Sequence, residues 1–199
     1  MLAHRTRLAM SQLPPQSIRT TRLLLRLPHL SDAAVMFARW AQDPEVCRYL
    51  VWRPHTSIEE TKAFLARCVR CWQAPVSAHG SAMGTPGSWA FPWMIENAGG
   101  DLIGMIEMRL AEHMADIGYN IMRAEWGKGL APEAGVVTNW ALGQPDIYRV
   151  WATCDVDNIR STRVLEKIGM LREGTLKRWI VHPNVSSEPR DSFVYSRTR

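Results

Sequence analysis

The sequence contains no long apolar run. No stretch approaches the roughly 18 consecutive apolar residues that suggest a transmembrane helix, and the N-terminus lacks the apolar segment and small-residue cleavage pattern of a signal peptide. The composition, 46% hydrophobic and 22% charged, is ordinary for a globular protein. We therefore expect a cytoplasmic protein with no membrane partner.

Cysteine is also scarce. The 199 residues include four cysteines, Cys47, Cys68, Cys71 and Cys154, and so small a number suits a reducing compartment. Cys68 and Cys71 have the C-x-x-C spacing of some zinc and redox sites, but no second pair of ligands follows, and the pair lies within a helical pattern. We expect buried, unreactive thiols and no metal site.

Acidic residues are absent before position 23. The arginines of that segment, Arg5, Arg7, Arg19 and Arg22, supply +4 of the formal charge of +5, which leaves the rest of the chain nearly neutral. A neutral body disfavours a duplex-binding face, so we expect no nucleic-acid partner, although contact of the basic arm with an acidic partner stays open.

Residues 1–21 contain Pro14-Pro15 and no sustained periodicity. They are predicted to be an N-terminal extension, a candidate for disorder, ahead of a single domain at 22–199. Within the domain, residue patterns predict strands at 22–27, 89–97, 102–110, 116–122, 148–154, 171–179 and 191–196, helices at 31–40, 57–72 and 158–168, and a further helix beginning near residue 131. Residues 74–88 are predicted as a loop. This order predicts an α/β fold with helices on the faces of a mixed sheet.

One glycine-rich turn has the composition of a phosphate-binding loop: Trp126-Gly127-Lys128-Gly129-Leu130-Ala131. It follows a strand in which Ile117, Tyr119 and Ile121 alternate, and it opens a helix with Ala131 as the expected N-cap and Pro132 as the first helical residue. Ala131 has no side-chain oxygen, so the first-turn N–H groups stay available to a bound anion. The turn is not a Walker A loop, because no Ser or Thr follows the lysine. A structural turn that binds nothing stays an alternative at this point.

Three motifs now occur in order: this turn, Asn158-x-x-Ser161, and residues 164–170 followed by Glu173-Gly174. Together they resemble the GNAT acetyltransferase superfamily, in the branch similar to RimJ/RimL N-terminal acetyltransferases, over residues 21–197. The resemblance implies a single-domain α/β fold with a mixed, mostly antiparallel central sheet and helices on both faces. It also implies acetyl-CoA as cosubstrate and no metal.

The resemblance implies which residues of this chain bind the cofactor. The backbone of the turn, with Trp126, Gly127, Lys128, Gly129, Leu130 and Ala131, would hold the pyrophosphate. The strand end, with Ile121, Met122 and Arg123, would run beside the pantetheine arm, and a backbone N–H there would polarise the thioester carbonyl. Asn158 and Ser161 match the positions that contact the pantetheine and the sulfur; Asn158 is equally suited to cap a helix.

Acetyl transfer to an amine requires a neutral amine, a stabilised oxyanion and a proton for the departing thiolate. The tyrosine that supplies this proton in many relatives is missing from the helix after Asn158, which leaves Ser161 as the donor. Glu107 is the first candidate for the base because it interrupts an apolar alternation, with Asp116 and His113 behind it. Water is the alternative, because a free α-amine has a pKa of roughly 8.

The predicted function is N-acetylation of a primary amine, on a protein N-terminus or a small molecule, by direct transfer in a ternary complex. The acceptor is expected near the tryptophans Trp52, Trp89 and Trp93 and the segments 182–184 and 189–191. An alternative is a CoA-binding regulatory module that has lost turnover. A monomer and a homodimer are both compatible with the sequence.

Overall fold

The computed structural model describes residues 13–73 and 89–199. Eight strands form one sheet in the order β1-β2-β3-β4-β5-β6-β8-β7. Their bounds are β1 Ile18–Arg19, β2 Leu23–Arg26, β3 Trp89–Asn97, β4 Leu102–Ala111, β5 Met114–Ile121, β6 Arg149–Asp155, β7 Leu171–Ile180 and β8 Arg190–Thr198. Neighbouring strands are antiparallel except for β5 and β6, which run parallel. The predicted mixed, mostly antiparallel sheet is confirmed.

Helices lie on both faces of this sheet. They are α1 Ala33–Met36, α2 Pro44–Cys47, α3 Ile58–Gln73, α4 Leu130–Ala134, α5 Val136–Leu142 and α6 Ile159–Lys167. Apolar residues of α4, α5 and α6 pack with one face of the central strands, and those of α1 and α3 pack with the other. Burial of this apolar surface stabilises the fold by about 25 cal/mol per Å². No helix within residues 13–73 and 89–199 is long and apolar enough to cross a membrane.

A β-bulge in β4 fixes the path of the neighbouring strand end. Ile95 pairs with Gly104 and Glu96 with Leu102, so Ile103 is an extra residue on β4. Its carbonyl accepts the Met122 N–H at 2.8 Å. A Cβ on Gly104 would lie 2.3 Å from the Asn120 carbonyl oxygen, so only glycine permits this approach. The bulge therefore holds β4 against the last residues of β5.

Three local features differ from the sequence prediction. β1 lies inside the predicted N-terminal extension, because Ile18 and Arg19 pair with Leu25 and Leu24. Helix α2 was not predicted. The helix after the glycine-rich turn is divided at Gly135, where an added Cβ would lie 2.5 Å from Ile168 Cγ2. The predicted loop at 74–88 lies outside the described residues.

The C-x-x-C pair lies on α3, as the helical pattern predicts. Cys68 is buried and Cys71 is half-buried, and both thiols are free. Burial raises the pKa of each, and the nearby Glu107 carboxylate raises it further.

Candidate active site

Strands β5 and β6 diverge and leave a gap in the middle of the sheet. They pair only where Met114, Ala115 and Asp116 meet Arg149, Val150 and Trp151. Beyond that point, residues 117–121 remain paired with β4 but not with β6. Because the Met122 N–H points toward β4, strand alternation turns the backbone groups of Ile117, Tyr119 and Ile121 toward the gap. The gap is thus lined by backbone groups that a ligand with amides can bind, apart from the Ile121 carbonyl, which accepts from the Trp126 indole N–H.

The glycine-rich turn follows β5 at the wide end of this gap. Gly127 and Gly129 have φ values of 80° and 75°, a left-handed conformation that favours glycine. Helix α4 begins at Leu130 with Gly129 as its N-cap, and no side chain caps its first N–H groups. The prediction of Ala131 as N-cap was therefore wrong by two residues, because the left-handed Gly129 lets the helix start earlier. The amides that follow Gly127 and Gly129 fit an anionic ligand such as a pyrophosphate.

Trp126 connects this turn to the end of β5. Its Nε1 donates to the Ile121 carbonyl at 2.7 Å, and its ring packs against both apolar clusters. The Arg160 guanidinium lies over the ring, 4.5 Å from its centroid. Trp126 therefore fixes the strand end and α6 relative to the turn.

The charged groups of Arg123 and Lys128 are each paired with a carboxylate. Arg123 Nε lies 3.3 Å from Asp43 Oδ2, and Lys128 Nζ lies 3.1 Å from Glu125 Oε1. Both side chains are more than half exposed. At these two positions the structure favours a contribution from the main chain over one from the charged group.

Asn158 and Ser161 meet at the N-terminus of α6. The Asn158 side chain accepts the Ser161 N–H at 3.2 Å, so Asn158 is the helix N-cap. The Ser161 hydroxyl lies 2.9 Å from the Tyr119 hydroxyl, which reaches it from β5. Tyr119 thus places a phenol beside Ser161, although α6 itself carries none.

Tyr119 was not among the predicted site residues, because the tyrosine was expected on the helix after Asn158 and not on the strand. Tyr119 looked like a core residue because it alternates with Ile117 and Ile121, which are buried. Burial raises its pKa well above the ordinary value, so it stays a neutral phenol at physiological pH. Burial also raises the pKa of the neighbouring Cys154 thiol to about 12, against an opposing contact with Ser161.

Glu107 lies on the other face of the sheet, which is packed against α3. Its Oε1 accepts a hydrogen bond from Arg109 Nη1 at 2.6 Å. Arg109 also binds Asp116 through Nε, at 2.6 Å, and through Nη2, and both partners are buried. Burial raises the pKa of Asp116, and the Arg109 guanidinium opposes that shift. Glu107 is therefore part of an ion-pair cluster with a partly exposed carboxylate.

The other two base candidates lie at the far end of β5. Asp116 is at the closed end of the gap, where β5 still pairs with β6. His113 is exposed in the β4–β5 turn, beside Glu112. The structure thus separates both residues from the glycine-rich turn, which stands at the opposite end of the strand.

Asn120 is a second polar residue on the face of Glu107. It pairs with Met105 of β4, one alternation from Glu107, and precedes Ile121 at the wide end of the gap. Its Oδ1 atom is buried and has no hydrogen-bond partner among the described residues. A buried carbonyl oxygen without a partner is costly, and its position suits a ligand donor.

Aromatic side chains stand on this same side. The Trp52 ring lies 4.8 Å from that of His55 and 6.1 Å from that of Phe64, between centroids. Trp93, by contrast, is fully buried, and its Nε1 donates to the Pro15 carbonyl, so it belongs to the core and does not line the cleft.

The segment between β7 and β8 packs on the chain around α2. Asn184 donates from Nδ2 to the carbonyls of Cys47 and Trp52, at 2.7 and 2.8 Å. His182 is buried with Nε2 3.9 Å from Asp155 Oδ2, and Asp155 is held by Arg190. Burial lowers the pKa of His182, and the Asp155 carboxylate opposes the change. This packing fixes one wall of the region where the acceptor was predicted.

The described residues include no group of three or more side chains that could hold a metal ion.

A family model described as an acetyltransferase (GNAT) domain matches residues 22–171. The uncharacterized N-acetyltransferase YoaA of Bacillus subtilis (strain 168) is 29% identical over 184 residues, which span 90% of this chain and 94% of YoaA.

Solved structures share the fold. The microcin C7 self-immunity acetyltransferase MccE, in complex with acetyl-CoA and AMP, superimposes with a TM-score of 0.76 at 21% identity, covering 95% of this chain and 99% of MccE. RimL, the ribosomal L7/L12 α-N-protein acetyltransferase, in complex with coenzyme A, has a TM-score of 0.74 at 21% identity, covering 92% and 97%.

These similarities agree with the geometry, because a turn that fits a pyrophosphate adjoins a gap that fits the pantetheine amides. The chain belongs to the GNAT family of acetyltransferases.

Proposed function

We propose that the protein transfers an acetyl group from acetyl-CoA to a primary amine, on a protein N-terminus or a small molecule. The observation that carries this proposal is the divergence of β5 and β6 beside the glycine-rich turn. It leaves backbone groups of residues 117, 119 and 121 without a partner strand on that side, next to the uncapped N–H groups of α4.

Acetyl-CoA supplies the acetyl group as a thioester, a form activated toward amines. The N–H groups of the turn, including those of Gly129 and Leu130, would bind its pyrophosphate. Backbone groups of Ile117 and Tyr119 would bind the pantetheine amides. Strand alternation turns the Ile121 N–H into the gap, whereas the Met122 N–H is bonded to the Ile103 carbonyl. We assign the Ile121 N–H to the thioester carbonyl, where a fixed backbone donor stabilises developing negative charge.

Ser161 is the proposed proton donor to the departing sulfur, directly or through water, and water restores the Ser161 proton so that no alkoxide is left. The Tyr119 hydroxyl has one proton and two possible acceptors on Ser161, the hydroxyl at 2.9 Å and the carbonyl at 3.3 Å. When Tyr119 donates to the Ser161 hydroxyl, the Ser161 proton is free to point toward the sulfur. Tyr119 is thus a positioning residue for Ser161 in this proposal.

The amine is proposed to enter from the opposite face. Glu107 and Asn120 lie on the α3 side of the sheet, whereas Tyr119 and Ser161 lie on the α6 side. Glu107 would take the proton of the amine directly or through water, and the Asn120 Oδ1 would accept one of its N–H groups. Separate entry for the amine and the thioester favours direct transfer in a ternary complex, with proximity supplying much of the acceleration.

The similar solved structures suggest which classes of acceptor amine to test. RimL acetylates a ribosomal protein at its α-amine, and MccE was solved with AMP. The four free cysteines also agree with the predicted cytoplasmic location, where thiols stay reduced. The absence of nucleic acid and membrane partners, and the choice between monomer and homodimer, stay predictions.

The test is calorimetric titration of the purified protein with acetyl-CoA, followed by measurement of CoA release with N-terminal peptides, small primary amines and aminoacyl nucleotides. Binding with release for an acceptor class supports the proposal and names the substrate class. Binding without release for every class would favour the regulatory alternative. Absence of binding would overturn the assignment of the turn to the pyrophosphate.

A further inference from the structure

We propose that Arg22 and Glu133 are positioning residues that hold the glycine-rich turn in its ligand-binding conformation from outside the site. The inference rests on the proposed pyrophosphate site and adds to it a connection to the first hairpin. Neither residue was among the predicted site residues.

The Glu133 carboxylate binds the turn between β1 and β2. Glu133 lies on α4, and its side chain is 16% exposed. Oε1 accepts from Thr20 Oγ1 at 2.6 Å and from the Arg22 N–H at 2.7 Å, and Oε2 accepts from Arg22 Nε at 2.6 Å. Burial opposes ionisation, yet these hydrogen bonds bring the pKa of Glu133 below its ordinary value. An ionised Glu133 therefore anchors the turn between β1 and β2 to α4.

The two terminal nitrogens of the Arg22 guanidinium bind the glycine-rich turn. Nη1 donates to the Lys128 carbonyl at 2.8 Å, and Nη2 donates to the Gly129 carbonyl at 3.1 Å. One planar side chain thus spans a carboxylate and two consecutive carbonyls of the turn. Arginine is suited to this task, because its donors form a rigid fork that a lysine ammonium cannot reproduce.

The orientation of these carbonyls determines the orientation of the adjacent amides. In a trans peptide unit the C=O and N–H bonds point in opposite directions. When Arg22 binds the carbonyls of Lys128 and Gly129 on one side, the N–H groups of Gly129 and Leu130 point to the other. Arg22 therefore presents to the ligand the two amides that the proposed site requires.

The charges support the same assignment. An unpaired Glu133 carboxylate on the first helix after the turn would repel a pyrophosphate. Arg22 neutralises it without occupying the amides. The pair therefore removes a repulsive charge and orders the loop, so that less conformational entropy is lost when the ligand binds.

The test compares Arg22→Lys with Arg39→Lys as a matched control. Arg39 also binds one carboxylate and one carbonyl, with Nη2 2.9 Å from Asp101 Oδ1 and Nη1 3.2 Å from the Leu102 carbonyl, but at the β3–β4 turn. For each variant we would measure the Kd for acetyl-CoA. We would also measure kcat/KM with acetyl-CoA and with S-acetyl-N-acetylcysteamine, a thioester that has no pyrophosphate.

Arg22→Lys is expected to raise the Kd for acetyl-CoA about tenfold, as loss of charge-assisted hydrogen bonds that order a site would. The short thioester should be used as well as by the unsubstituted protein, and Arg39→Lys should change neither value. An unchanged Kd, or an equal loss with both thioesters, would overturn the inference. Failure of the unsubstituted protein to bind acetyl-CoA would instead overturn the proposed site.

Glu133→Gln provides a second route if Arg22→Lys does not fold. The amide keeps the size of the side chain and removes its charge, so it should weaken acetyl-CoA binding in the same direction. The double variant should lose less than the product of the two single losses, because both act on one linked network. Independent effects that multiply would contradict a shared positioning role.

Discussion

The Tyr119 hydroxyl on β5 lies 2.9 Å from the Ser161 hydroxyl on α6, across the wide end of the gap between β5 and β6. The pair connects the strand proposed to bind the pantetheine with the helix proposed to supply the proton. The contact predicts the effect of Tyr119→Phe, a substitution that keeps the aromatic ring and removes the hydroxyl that donates to Ser161. We expect kcat to fall about tenfold, because one oriented hydrogen bond is lost, while the Kd for acetyl-CoA stays within a factor of about two.

The measurement is steady-state kinetics together with calorimetric titration. Thr138→Ser is a suitable control, because the Thr138 hydroxyl makes a buried contact with the Gly135 carbonyl away from the gap. A kcat that is unchanged in Tyr119→Phe would show that Ser161 needs no orienting partner.

The role of Glu107 as the base can be tested by comparing Glu107→Gln with Glu96→Gln as a control. The two residues are well matched, since each accepts from an arginine at 2.6 to 2.7 Å and has a side chain 20% to 23% exposed. Glu107→Gln should lower kcat/KM about tenfold or more near neutral pH, and less at a pH above the amine pKa of roughly 8. The decisive measurement is the pH profile, and equal profiles for the two variants would assign amine deprotonation to water.

Because Asn120 Oδ1 is buried without a partner among the described residues, we expect its substitution to affect stability and acceptor binding differently. Asn120→Leu removes a buried polar atom that has no partner among the described residues, so we expect unchanged or higher thermal stability. The same change should raise the KM for the acceptor amine, whereas Asn120→Asp, which keeps an oxygen acceptor, should raise it less. Thermal unfolding and acceptor kinetics check this, and a variant that loses stability without a change in KM would indicate a purely structural role.

The conformation of Gly129 predicts the effect of a side chain in the turn. Its φ of 75° disfavours a β-branched residue, even though an added Cβ would meet only the Arg22 Nη2 at 3.6 Å. Gly129→Val should therefore weaken acetyl-CoA binding by a factor of about 30, which corresponds to roughly 2 kcal/mol of backbone strain. The fold should be kept, as circular dichroism would show. Retained affinity would place the pyrophosphate elsewhere.

His182 should make the stability of the protein dependent on pH. Burial lowers its pKa in the folded state below the ordinary value of 6.5, so the unfolded chain takes up this proton first as the pH falls. The stabilisation that depends on a neutral His182 is fully present above pH 6.5. It is lost progressively as the pH falls from 6.5 to the lowered pKa of the folded state. His182→Gln should therefore lose less stability than the parent protein on acidification from about pH 7 to pH 5.

Melting temperatures across this range provide the measurement, with the exposed His113→Gln as a control. Asp155, whose pKa lies below its ordinary value, and Arg190 both face His182 and keep their charges between pH 5 and pH 7, so the difference between the two proteins follows the titration of His182. Parallel curves for His182→Gln and the parent protein would contradict the expected shift.

Most strands and helices could be predicted from the sequence, because the residue patterns that predict them extend over only a few neighbouring residues. The alternation at 89–97 and 102–110 predicted the β3–β4 hairpin, and the pattern after Asn158 predicted α6 together with its cap. β1 was missed because two residues are too few to show a period. The first residue of α4 was misplaced because the left-handed conformation of Gly129 is set by the turn and not by helical pattern.

The sequence by itself determined which segments form strands and helices and where the glycine-rich turn stands, because backbone preference and side-chain periodicity act over a few neighbouring residues. Only the tertiary structure decided that Tyr119 meets Ser161 and that Glu133 meets Thr20 and Arg22. These contacts depend on strand order, register and the divergence of β5 from β6. The physical reason is that residues 42 to 113 positions apart become neighbours only when the whole sheet has formed.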